Sequence, residues 1–432
     1  MKNLQEKLNA LYGRADNEHP EETAPSDIRQ EMNRLMSNRI PIKHFPKAEV
    51  EKASLSLDKL VDGRWINTHF GDIFRGEFVF DLREIYGNQN LAEVFRFSEA
   101  DYHECFQIPG IASPDKFLFI DTETTGLAGG SGTVAFLIGI GYIDADKFIV
   151  HQYFITQLSH EEGMLELLKD VVGRFDCLVS FNGRTFDIPL LTTRFLMNRI
   201  EPPFESRHHI DLLYYTRLLW KLAMENCKLK TMETELLGLN REDDIPGEII
   251  PEIYFDYLRT RNTEKLERIF YHNRFDIVSM LAGLILTTQT IRKRTPESNP
   301  LVDFAKGKWF GHKKDAERSC AHYQHVLESS VSLPRRQKTM LELAAIYKKD
   351  RRYWEAVPLW KTAINPEYPF SFEPYIELAK YYEHIEKDVH KALKIIESGI
   401  SISPARQEAD RQMIFKRIER LQKKIDKQTS GG

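Results

Sequence analysis

Two carboxylates that lie two residues apart, Asp121 and Glu123, close an apolar segment that reads FLFIDTETTGL from Phe117 to Leu127. Side chains at positions i and i+2 of a β-strand point to the same face, so the two carboxylates project together. Two like charges this close repel by about 1 kcal/mol in water and about 4 kcal/mol at a partly buried site, which a cation between them would relieve. A divalent metal ion is the candidate cation. Taken alone, the pair is also what a solvated acidic turn at a strand end looks like.

A third acid, Asp187, follows a short apolar segment and the turn Asn182-Gly183. The residues after the turn, up to Pro189, are typical of the opening of a helix. The pattern therefore predicts that Asp187 lies at a strand-to-helix corner, and ligands bind at the strand ends of such sheets. The same position equally suits a helix N-cap that accepts hydrogen bonds from free backbone N–H groups.

A fourth acid, Asp276, lies in a segment with helical periodicity that reads LERIFYHNRFDIVSMLAGLIL. At four-residue spacing it shares a stripe with His272 and Met280, beside the apolar face of Ile277 and Leu281. A carboxylate beside a core-facing stripe is costly unless it is paired or bound to a metal ion. His272 points the same way; a lone histidine is more often a packed or capping residue, but the proximity of Asp276 favours a chemical role.

The segments around these acids alternate between strand and helix patterns, which predicts a mixed sheet with helices on its faces. Strands are predicted at 117–123, 134–142, 148–155, 177–181 and 208–213, and helices at 161–174 and 188–198. We predict a catalytic domain over residues 115–292. A polar, flexible N-terminal lead is predicted at 1–41, and a small β-rich accessory region at 42–114.

The C-terminal third is helical and repetitive. Leu343-Ala344 recurs as Leu378-Ala379, a period of about 35 residues that is close to a tetratricopeptide repeat. Residues 310–427 are therefore predicted to form an all-α domain of tetratricopeptide-like helical repeats. A weaker first copy is suggested by Ala321, which precedes Ala356 by the same spacing. An ordinary bundle of α-hairpins is the alternative, because stable arrays usually need about three repeats.

Composition sets the broad class of protein. With 432 residues and 42% hydrophobic content, the chain is long enough for two or three domains. Its 60 Lys and Arg against 64 Asp and Glu give a formal charge of -4, so nucleic acid would have to meet a local basic patch. The four cysteines are scattered, which is typical of a reducing environment. Because no apolar run approaches the roughly 18 residues of a membrane span, we expect a cytoplasmic protein with no membrane partner.

In this order, the motifs DTETTGL, FNGRTFD and HNRFD resemble those of the DEDD, or DnaQ-like, exonucleases, which have a ribonuclease H-like fold. The resemblance covers about residues 116–288. It implies an α/β ribonuclease H-like mixed sheet with flanking helices, and metal ligands at Asp121, Glu123, Asp187 and Asp276. It also implies contacts to the terminal nucleotide from Thr124, Thr125, Gly126 and Leu127. The order of an exonuclease domain and tetratricopeptide-like helices resembles an uncharacterised bacterial group of the same architecture.

The function that the resemblance implies is a metal-dependent 3′–5′ exonuclease that hydrolyses phosphodiester bonds of single-stranded DNA or RNA. Two Mg²⁺ or Mn²⁺ ions are the implied cofactors. Oxygen ligands without a cysteine fit those ions better than zinc. We predict that Asn182 and Arg184, at the corner after the second motif, bind substrate phosphates. Single-stranded nucleic acid is the expected partner, and the repeats are expected to offer a surface to a protein partner.

The chain departs from the family at the general base. Family members carry a histidine five residues before the last aspartate or a tyrosine four residues before it, and here those places hold Tyr271 and His272. Four residues correspond to about 400° of helical rotation, which places His272 near Asp276. An ordinary pKa near about 6.5 would let a histidine accept a proton at neutral pH. Whether His272 or Tyr271 assists the attacking water stays open.

A catalytically silent ribonuclease H-like protein is the alternative from another class, binding nucleic acid or acting as a scaffold that recruits partners through its repeats. The complete set of four acids argues against it. Another metal-dependent phosphoesterase is the third hypothesis.

A group of basic side chains after the second motif is a candidate path for a nucleic-acid strand, although solvated helix charges explain the group as well. Its members are Arg194, Arg199, Arg207, Arg217, Lys221, Lys228 and Lys230. Asp211, at a predicted strand end, is expected to start the following helix.

Overall fold

The structure is a computed structural model, and it describes residues 56–126, 132–242, 244–294, 297–402 and 408–430. The predicted N-terminal lead at 1–41 lies outside the described residues, as do the first part of the region 42–114 and the proposed nucleotide contact Leu127.

Nine strands are present in the described part of the chain: β1 Gly63–Thr68, β2 Gly71–Asp81, β3 Ile85–Tyr86, β4 Gln89–Asn90, β5 Phe117–Thr124, β6 Ala135–Asp144, β7 Lys147–Ile155, β8 Cys177–Ser180 and β9 His208–Asp211. Seven of these described strands form one sheet in the order β1-β2-β7-β6-β5-β8-β9, and β3 pairs with β4 separately. The strand β5 is antiparallel to β6 and parallel to β8, which is parallel to β9. The predicted mixed sheet is confirmed.

Helices flank this sheet and form the regular structure of the C-terminal part of the described chain. Those of the first part are α1 Leu57–Leu60, α2 Glu99–Phe106, α3 Glu161–Val172, α4 Asp187–Met197, α5 Leu212–Trp220, α6 Leu229–Met232, α7 Ile250–Thr260 and α8 Leu266–Arg292. The later ones are α9 Pro300–His312, α10 Ala316–Glu328, α11 Leu333–Lys349, α12 Tyr353–Ala363, α13 Glu373–His384, α14 Val389–Ile402 and α15 Glu408–Ser430. Short 3₁₀ turns occur at 91–96, 114–116, 158–160 and 247–249, and a π turn occurs at 233–237. Within the described ranges, none of the helices is both long and apolar enough to cross a membrane.

The region 42–114, expected to be a small accessory region, contributes β1 and β2 to the edge of the main sheet. The strand β2 pairs with β7 over nine residue pairs, from Ile73–Ile155 to Asp81–Lys147. A Cβ at Gly76 would lie 3.3 Å from Val61 Cγ1 and 3.5 Å from the ring of Phe270, so this part of β2 lies close to α8. The short β patterns in this region were recognisable from the sequence. Their partner β7 follows much later in the chain, so the pairing was not.

Alternation along β5 sends its side chains into two separate cores, one on each face of the sheet. Phe117 and Phe119 pack in the core that contains Ile277 and Leu281 of α8. Leu118 and its alternate neighbours pack in the core on α3 and α4. Each fully buried Phe or Leu contributes about 1.5–3 kcal/mol, so a shift of register by one residue is strongly disfavoured. The same alternation carries the acids that follow Phe119 onto the face covered by α8.

The C-terminal helices pack on their neighbours, α9 on α10, α11 on α12, α13 on α14 and α14 on α15. The predicted all-α region is therefore confirmed, whereas its assignment to tetratricopeptide repeats stays a prediction. A fully buried small residue occupies the fourth position of α10, α12 and α14, namely Ser319, Ala356 and Ala392. Ala321, from which the weaker first copy was inferred, is exposed. The corresponding residue in that copy is Ser319, two positions earlier.

Candidate active site

The four predicted ligands meet at the end of β5. Asp121 and Glu123 lie on β5, next to an irregularity of the ladder between β5 and β6. Asp187 begins α4, and Asp276 lies in the first half of α8. Burial raises the pKa of Asp121 well above its ordinary value, and the charges of the other three acids raise it further. The sequence prediction that these four side chains lie close together agrees with this geometry.

Burial raises the pKa of two further acids of the cluster, Glu123 and Asp187. Burial raises the pKa of Glu123 to about 8, with His272 acting in the opposite direction and Asp276 and Asp187 adding to the rise. Burial also raises the pKa of Asp187 to about 6, against the hydrogen bond that it accepts from Thr122. Because Asp276 and Asp187 make the ionised forms of Asp121 and Glu123 less favourable, a cation would stabilise the cluster.

A chain of buried amides holds Asp121 in place. Asn273, which is fully buried on α8, donates through Nδ2 to Asp121 Oδ2 over 2.8 Å. Its Oδ1 accepts from Nε2 of Gln152 on β7 over 2.8 Å. Gly139 on β6 makes this approach possible, because a Cβ there would collide with Oδ1 of Asn273. Sequence reasoning missed Asn273 and Gln152, and the only local signal was the position of Asn273 beside His272.

Asp187 is held by a hydrogen bond from Thr122, and it lies close to the backbone at Gly183. Thr122 Oγ1 donates to Asp187 Oδ1 over 2.5 Å, from the face of β5 opposite Asp121. The alternative that Asp187 is the N-cap of α4 is wrong, since Phe186 occupies that position and Asp187 is the first helical residue. At Gly183, a Cβ would lie 2.5 Å from Ser180 Oγ and 3.2 Å from Asp187 Oδ2. Glycine is therefore required beside the carboxylate.

His272 reaches the cluster, as the helical spacing predicted. Its Nδ1 lies 2.8 Å from Asp244 Oδ1, and its Nε2 lies 3.8 Å from Asp276 Oδ2. Burial lowers the pKa of His272, but the hydrogen bond to Asp244 and the charges of Asp276 and Glu123 outweigh it and raise the pKa to about 9. A histidine with this pKa carries a proton at neutral pH. The expectation of an ordinary pKa was wrong because Asp244 was not recognised from the sequence.

Tyr271, the other candidate for assisting water, lies in different surroundings. Its ring centroid is 4.6 Å from that of Phe275, and the guanidinium of Arg274 lies 5.6 Å above its ring. Tyr271 and Arg274, together with Phe78, line a small pocket that Asp276 does not line. Between the two candidates, only His272 contacts a predicted metal ligand in the described part of the chain.

Arg241 is the site residue that sequence reasoning missed most completely. Its Nη1 lies 2.6 Å from Asp276 Oδ1 and donates to the carbonyl oxygen of His272 over 3.2 Å. Its Nη2 pairs with Glu233, and both side chains are almost completely buried. Arg241 comes from the REDD segment between α6 and α7, where a charge cluster is typical of a solvated loop. Nothing in its local sequence indicated that it would reach Asp276.

The residues predicted to contact the terminal nucleotide form a turn after β5. Thr124 Oγ1 donates to the carbonyl of Gly126 over 2.9 Å, and Thr125 Oγ1 accepts from the backbone N–H of Val134 over 3.0 Å. The turn leads away from the end of the strand that carries Glu123. Contact of these residues with a nucleotide stays a prediction.

The corner after β8 is organised by Asp211. Its Oδ1 accepts from the backbone N–H groups of Asn182 and Leu213, and its Oδ2 accepts from the backbone N–H of Arg184. The prediction that Asp211 starts a helix is confirmed, because it is the N-cap of α5. The guanidinium of Arg184 donates to the carbonyl of His209 over 2.6 Å. Phosphate binding by Asn182 and Arg184 stays a prediction.

The four acids have the donor atoms that a divalent cation needs. Four carboxylates without a thiolate suit a hard cation such as Mg²⁺ or Mn²⁺. Across the residues that the structure describes, however, no group of three or more His, Cys, Asp or Glu side chains has the geometry to hold a metal ion. One reason is visible, since Asp276 is paired with Arg241 at 2.6 Å. The chemistry of the donors fits a divalent cation, and the ion pair must open before all four are free to bind one.

Sequence comparison places this site within a known class. A model of the RNase_H superfamily matches residues 118–283, from β5 into α8. The chain is 32% identical over 314 residues to the uncharacterized protein YprB of Bacillus subtilis (strain 168), covering 72% of this chain and 75% of YprB. The chain therefore belongs to the same family as YprB, and its residues 118–283 form an RNase_H superfamily domain. This membership indicates nuclease or another nucleic-acid-related activity.

Among solved structures, the chain is similar to the family B DNA polymerase from the hyperthermophilic archaeon Pyrobaculum calidifontis. The sequence identity is 15% and the TM-score 0.34, over 56% of this chain and 30% of the polymerase chain. A likeness of this size adds nothing to the assignment.

Proposed function

We propose that the protein is a metal-dependent 3′–5′ exonuclease that hydrolyses phosphodiester bonds of single-stranded nucleic acid. The observation that carries the proposal is the largely buried cluster of Asp121, Glu123, Asp187 and Asp276, in which burial raises the pKa of the first three and the charges of neighbouring acids raise those of Asp121 and Glu123 further. Buried structural acids are normally paired with cations. Acids that are left to repel one another are typical of functional sites.

The roles of the side chains follow from their contacts. The four acids would hold Mg²⁺ or Mn²⁺, which when bound supply charge stabilisation and orientation of the attacking and leaving oxygens. Asn273 and Thr122 donate hydrogen bonds to Asp121 and Asp187, which keeps these carboxylates oriented. His272 is the side chain placed to move a proton beside Asp276. Its role in catalysis is a part of the proposal that a His272→Asn variant would test directly.

One contact favours the second candidate function, a silent nucleic-acid-binding or scaffold protein. The guanidinium of Arg241 already neutralises Asp276 at 2.6 Å. If that ion pair persists in solution with metal present, the cluster retains a structural cation and lacks a complete ligand set. Recruitment of partners through the C-terminal helices would then be the main activity.

The deciding experiment uses single-stranded DNA and RNA of about 20 nucleotides, labelled at either the 3′ or the 5′ end, with Mg²⁺, Mn²⁺ or EDTA. We expect 5′-labelled substrates to shorten one nucleotide at a time in the presence of metal, and 3′-labelled substrates to release a labelled mononucleotide at once. The Asp121→Asn variant is expected to lose this activity. Asp170→Asn, an exposed acid on α3, is the matched control and is expected to retain it.

The two candidates give different outcomes. Binding of the oligonucleotides without shortening under any metal condition would refute the exonuclease and favour the silent binder. Cleavage of a circular single strand would show an endonuclease instead. Isothermal titration of Mn²⁺ provides a readout besides activity, because the exonuclease proposal requires metal binding that the Asp121→Asn variant weakens.

A further inference from the structure

An open groove adjoins the corner that follows β8. It has a volume of about 820 Å³ and is lined by residues of that corner, of α5 and of the segment leading into α6. Its cationic lining residues are Arg217, Lys221 and Lys228. Glu225 is the acid among its lining residues. Three cations against one acid make the groove positive on a chain whose formal charge is -4.

The structure divides the basic group that follows the second motif into two kinds of residue. Arg194 forms a buried ion pair with Glu161 at 2.5 Å, and Arg207 donates to the carbonyl of Gly173. These two side chains have structural roles. The three groove cations, by contrast, are exposed, and in the described part of the chain none of their cationic groups forms an ion pair or a hydrogen bond. Cations that are free of protein partners are available to a ligand.

A second observation shows that two of these charges converge. Cys227 lines the same groove, and although its burial raises the pKa of the thiol, Arg217 and Lys221 both act to lower it. Both positive charges therefore lie near the Cys227 thiol, which lines the groove. Lys228 is the next residue in the chain after that cysteine.

One end of the groove lies at the same corner of the chain as the carboxylate cluster. Asn182 lines one end of it, and the next residue, Gly183, is the glycine whose Cβ would lie 3.2 Å from Asp187 Oδ2. The partly buried ring of Phe181 lines the same end. A nucleic-acid strand bound along the groove would thus pass the corner at Asn182 and the ring of Phe181 before it reached the acids.

We infer that this groove binds the sugar-phosphate backbone of a single strand, on the 5′ side of the nucleotide that is removed. The inference rests on the proposed function and names the path of its substrate. Convergent cations suit successive phosphates, and an aromatic face suits a stacked base, which is worth about 1–3 kcal/mol in single-strand binding sites. Phosphates are common to DNA and RNA, so both strands are tested.

The experiment measures binding of the full chain to fluorescein-labelled dT20 and U20 by fluorescence anisotropy, in EDTA and over a series of KCl concentrations. The variant carries Arg217→Ala, Lys221→Ala and Lys228→Ala together. Loss of three phosphate contacts should weaken binding about tenfold or more at low salt, and should reduce the slope of log Kd against log[KCl] by about two. The deficit should be larger for 20-mers than for 4-mers.

Two matched variants sharpen the result. Lys230→Ala removes an exposed lysine just outside the groove and should leave affinity and salt slope unchanged. Glu225→Gln removes the acid of the groove and should tighten binding. Circular dichroism and thermal unfolding establish that the triple variant is folded; the side chains are exposed, so little change is expected.

The outcomes separate this inference from the proposed function. If the triple variant binds dT20 and U20 with the affinity and salt slope of the wild type, the groove is not the path and the inference is overturned, whatever the nuclease assay shows. If binding depends on the three cations but no cleavage occurs with any metal, the groove is confirmed and the exonuclease proposal fails. Preference for U20 or dT20 then identifies the strand that the groove selects.

Discussion

Two regions of this molecule bury carboxylates and treat them in opposite ways. On α13, the side chain of Glu383 is completely buried, and it is surrounded by Arg417, Arg420 and Lys424 of α15. Burial raises the pKa of Glu383, but the hydrogen bond from Lys424 and the charge of Arg420 outweigh it and hold the pKa below its ordinary value. Asp121 and Glu123 at the end of β5 have the opposite shift, because burial raises their pKa and the charges of neighbouring acids raise it further.

The difference separates a structural acid from a functional one. Glu383 fastens α15 to the preceding helices, so the fold itself supplies the counter-charges. The cluster around Asp121 is oriented by neutral donors, Asn273 and Thr122, which fix geometry without cancelling charge. Arg241 combines features of both regions, because it is a cation of the protein itself and contacts one acid of the cluster, Asp276. Activity and stability should therefore respond in opposite directions to substitutions in the two regions.

The largest expected effect is at Asp121. Asp121→Asn removes a repelling charge and keeps the shape, so the free energy of unfolding in EDTA should rise by about 1 kcal/mol. The same change should lower the rate of nucleotide release by about 10³-fold, because several kcal/mol of transition-state stabilisation depend on the bound cation. Urea denaturation and the labelled-strand assay measure the two quantities. If Asp121→Asn loses stability as well as activity, Asp121 is a structural acid of the same type as Glu383.

Arg241→Gln is expected to have the next largest effect. The substitution leaves buried Glu233 and Asp276 without their guanidinium, which should cost about 3–5 kcal/mol in the free energy of unfolding. Urea denaturation at pH 7 measures this cost.

The double variant Glu233→Gln with Arg241→Gln is the control, and it should be destabilised by less than the sum of the two single variants. A cost below about 1 kcal/mol for Arg241→Gln would show that the ion pairs are not maintained in solution.

Glu383→Gln should have a smaller effect, about 1–2 kcal/mol of stability, because Arg420 and Lys424 are nearly half exposed and can regain water. Nuclease activity should be unchanged, in contrast to Asp121→Asn. Thermal unfolding and the labelled-strand assay test the pair of statements. If the Glu383→Gln variant is fully folded and yet loses activity, the C-terminal helices contribute to the reaction.

The effect that is smallest at neutral pH is a pH dependence at His209. Burial lowers the pKa of His209 to about 4, with Arg184 acting in the same direction and Asp211 against it, and its Nε2 is hydrogen-bonded to Ser180 at 2.7 Å. The unfolded chain then binds a proton at a higher pH than the folded chain, near about 6.5. The stability that His209 contributes is complete above that pH and is lost as pH falls towards 4, by at most about 1.4 kcal/mol per pH unit.

The measurement is the free energy of unfolding between pH 8 and 4.5 for the wild type, His209→Gln and the exposed neighbour variant His208→Gln. The His209 variant should show a shallower decline below pH 6.5, and the His208 variant should follow the wild type. Equal slopes for all three proteins would contradict the prediction.

Local sequence patterns determined much of this protein. The apolar run into β5, with its period of two, placed Asp121 and Glu123 on one face because strand geometry depends on neighbouring residues alone. The turn at Asn182-Gly183 and the four-residue spacing of His272 and Asp276 followed from equally local rules. For the same reason, the mixed sheet and the helical C-terminal part were predicted correctly.

Only the tertiary structure decided the contacts between distant segments. Strand β2 pairs with β7 although four other strands lie between them along the chain, and Ser319 took the place that spacing had assigned to Ala321. Arg241 and Asp244 reached Asp276 and His272 from a loop that resembles any solvated charge cluster. Contact with Asp244 and Asp276 raises the pKa of His272 to about 9, whereas an ordinary pKa was expected. A pKa and an ion pair depend on which charges meet in space, and spacing along a chain does not encode such meetings between segments that lie far apart.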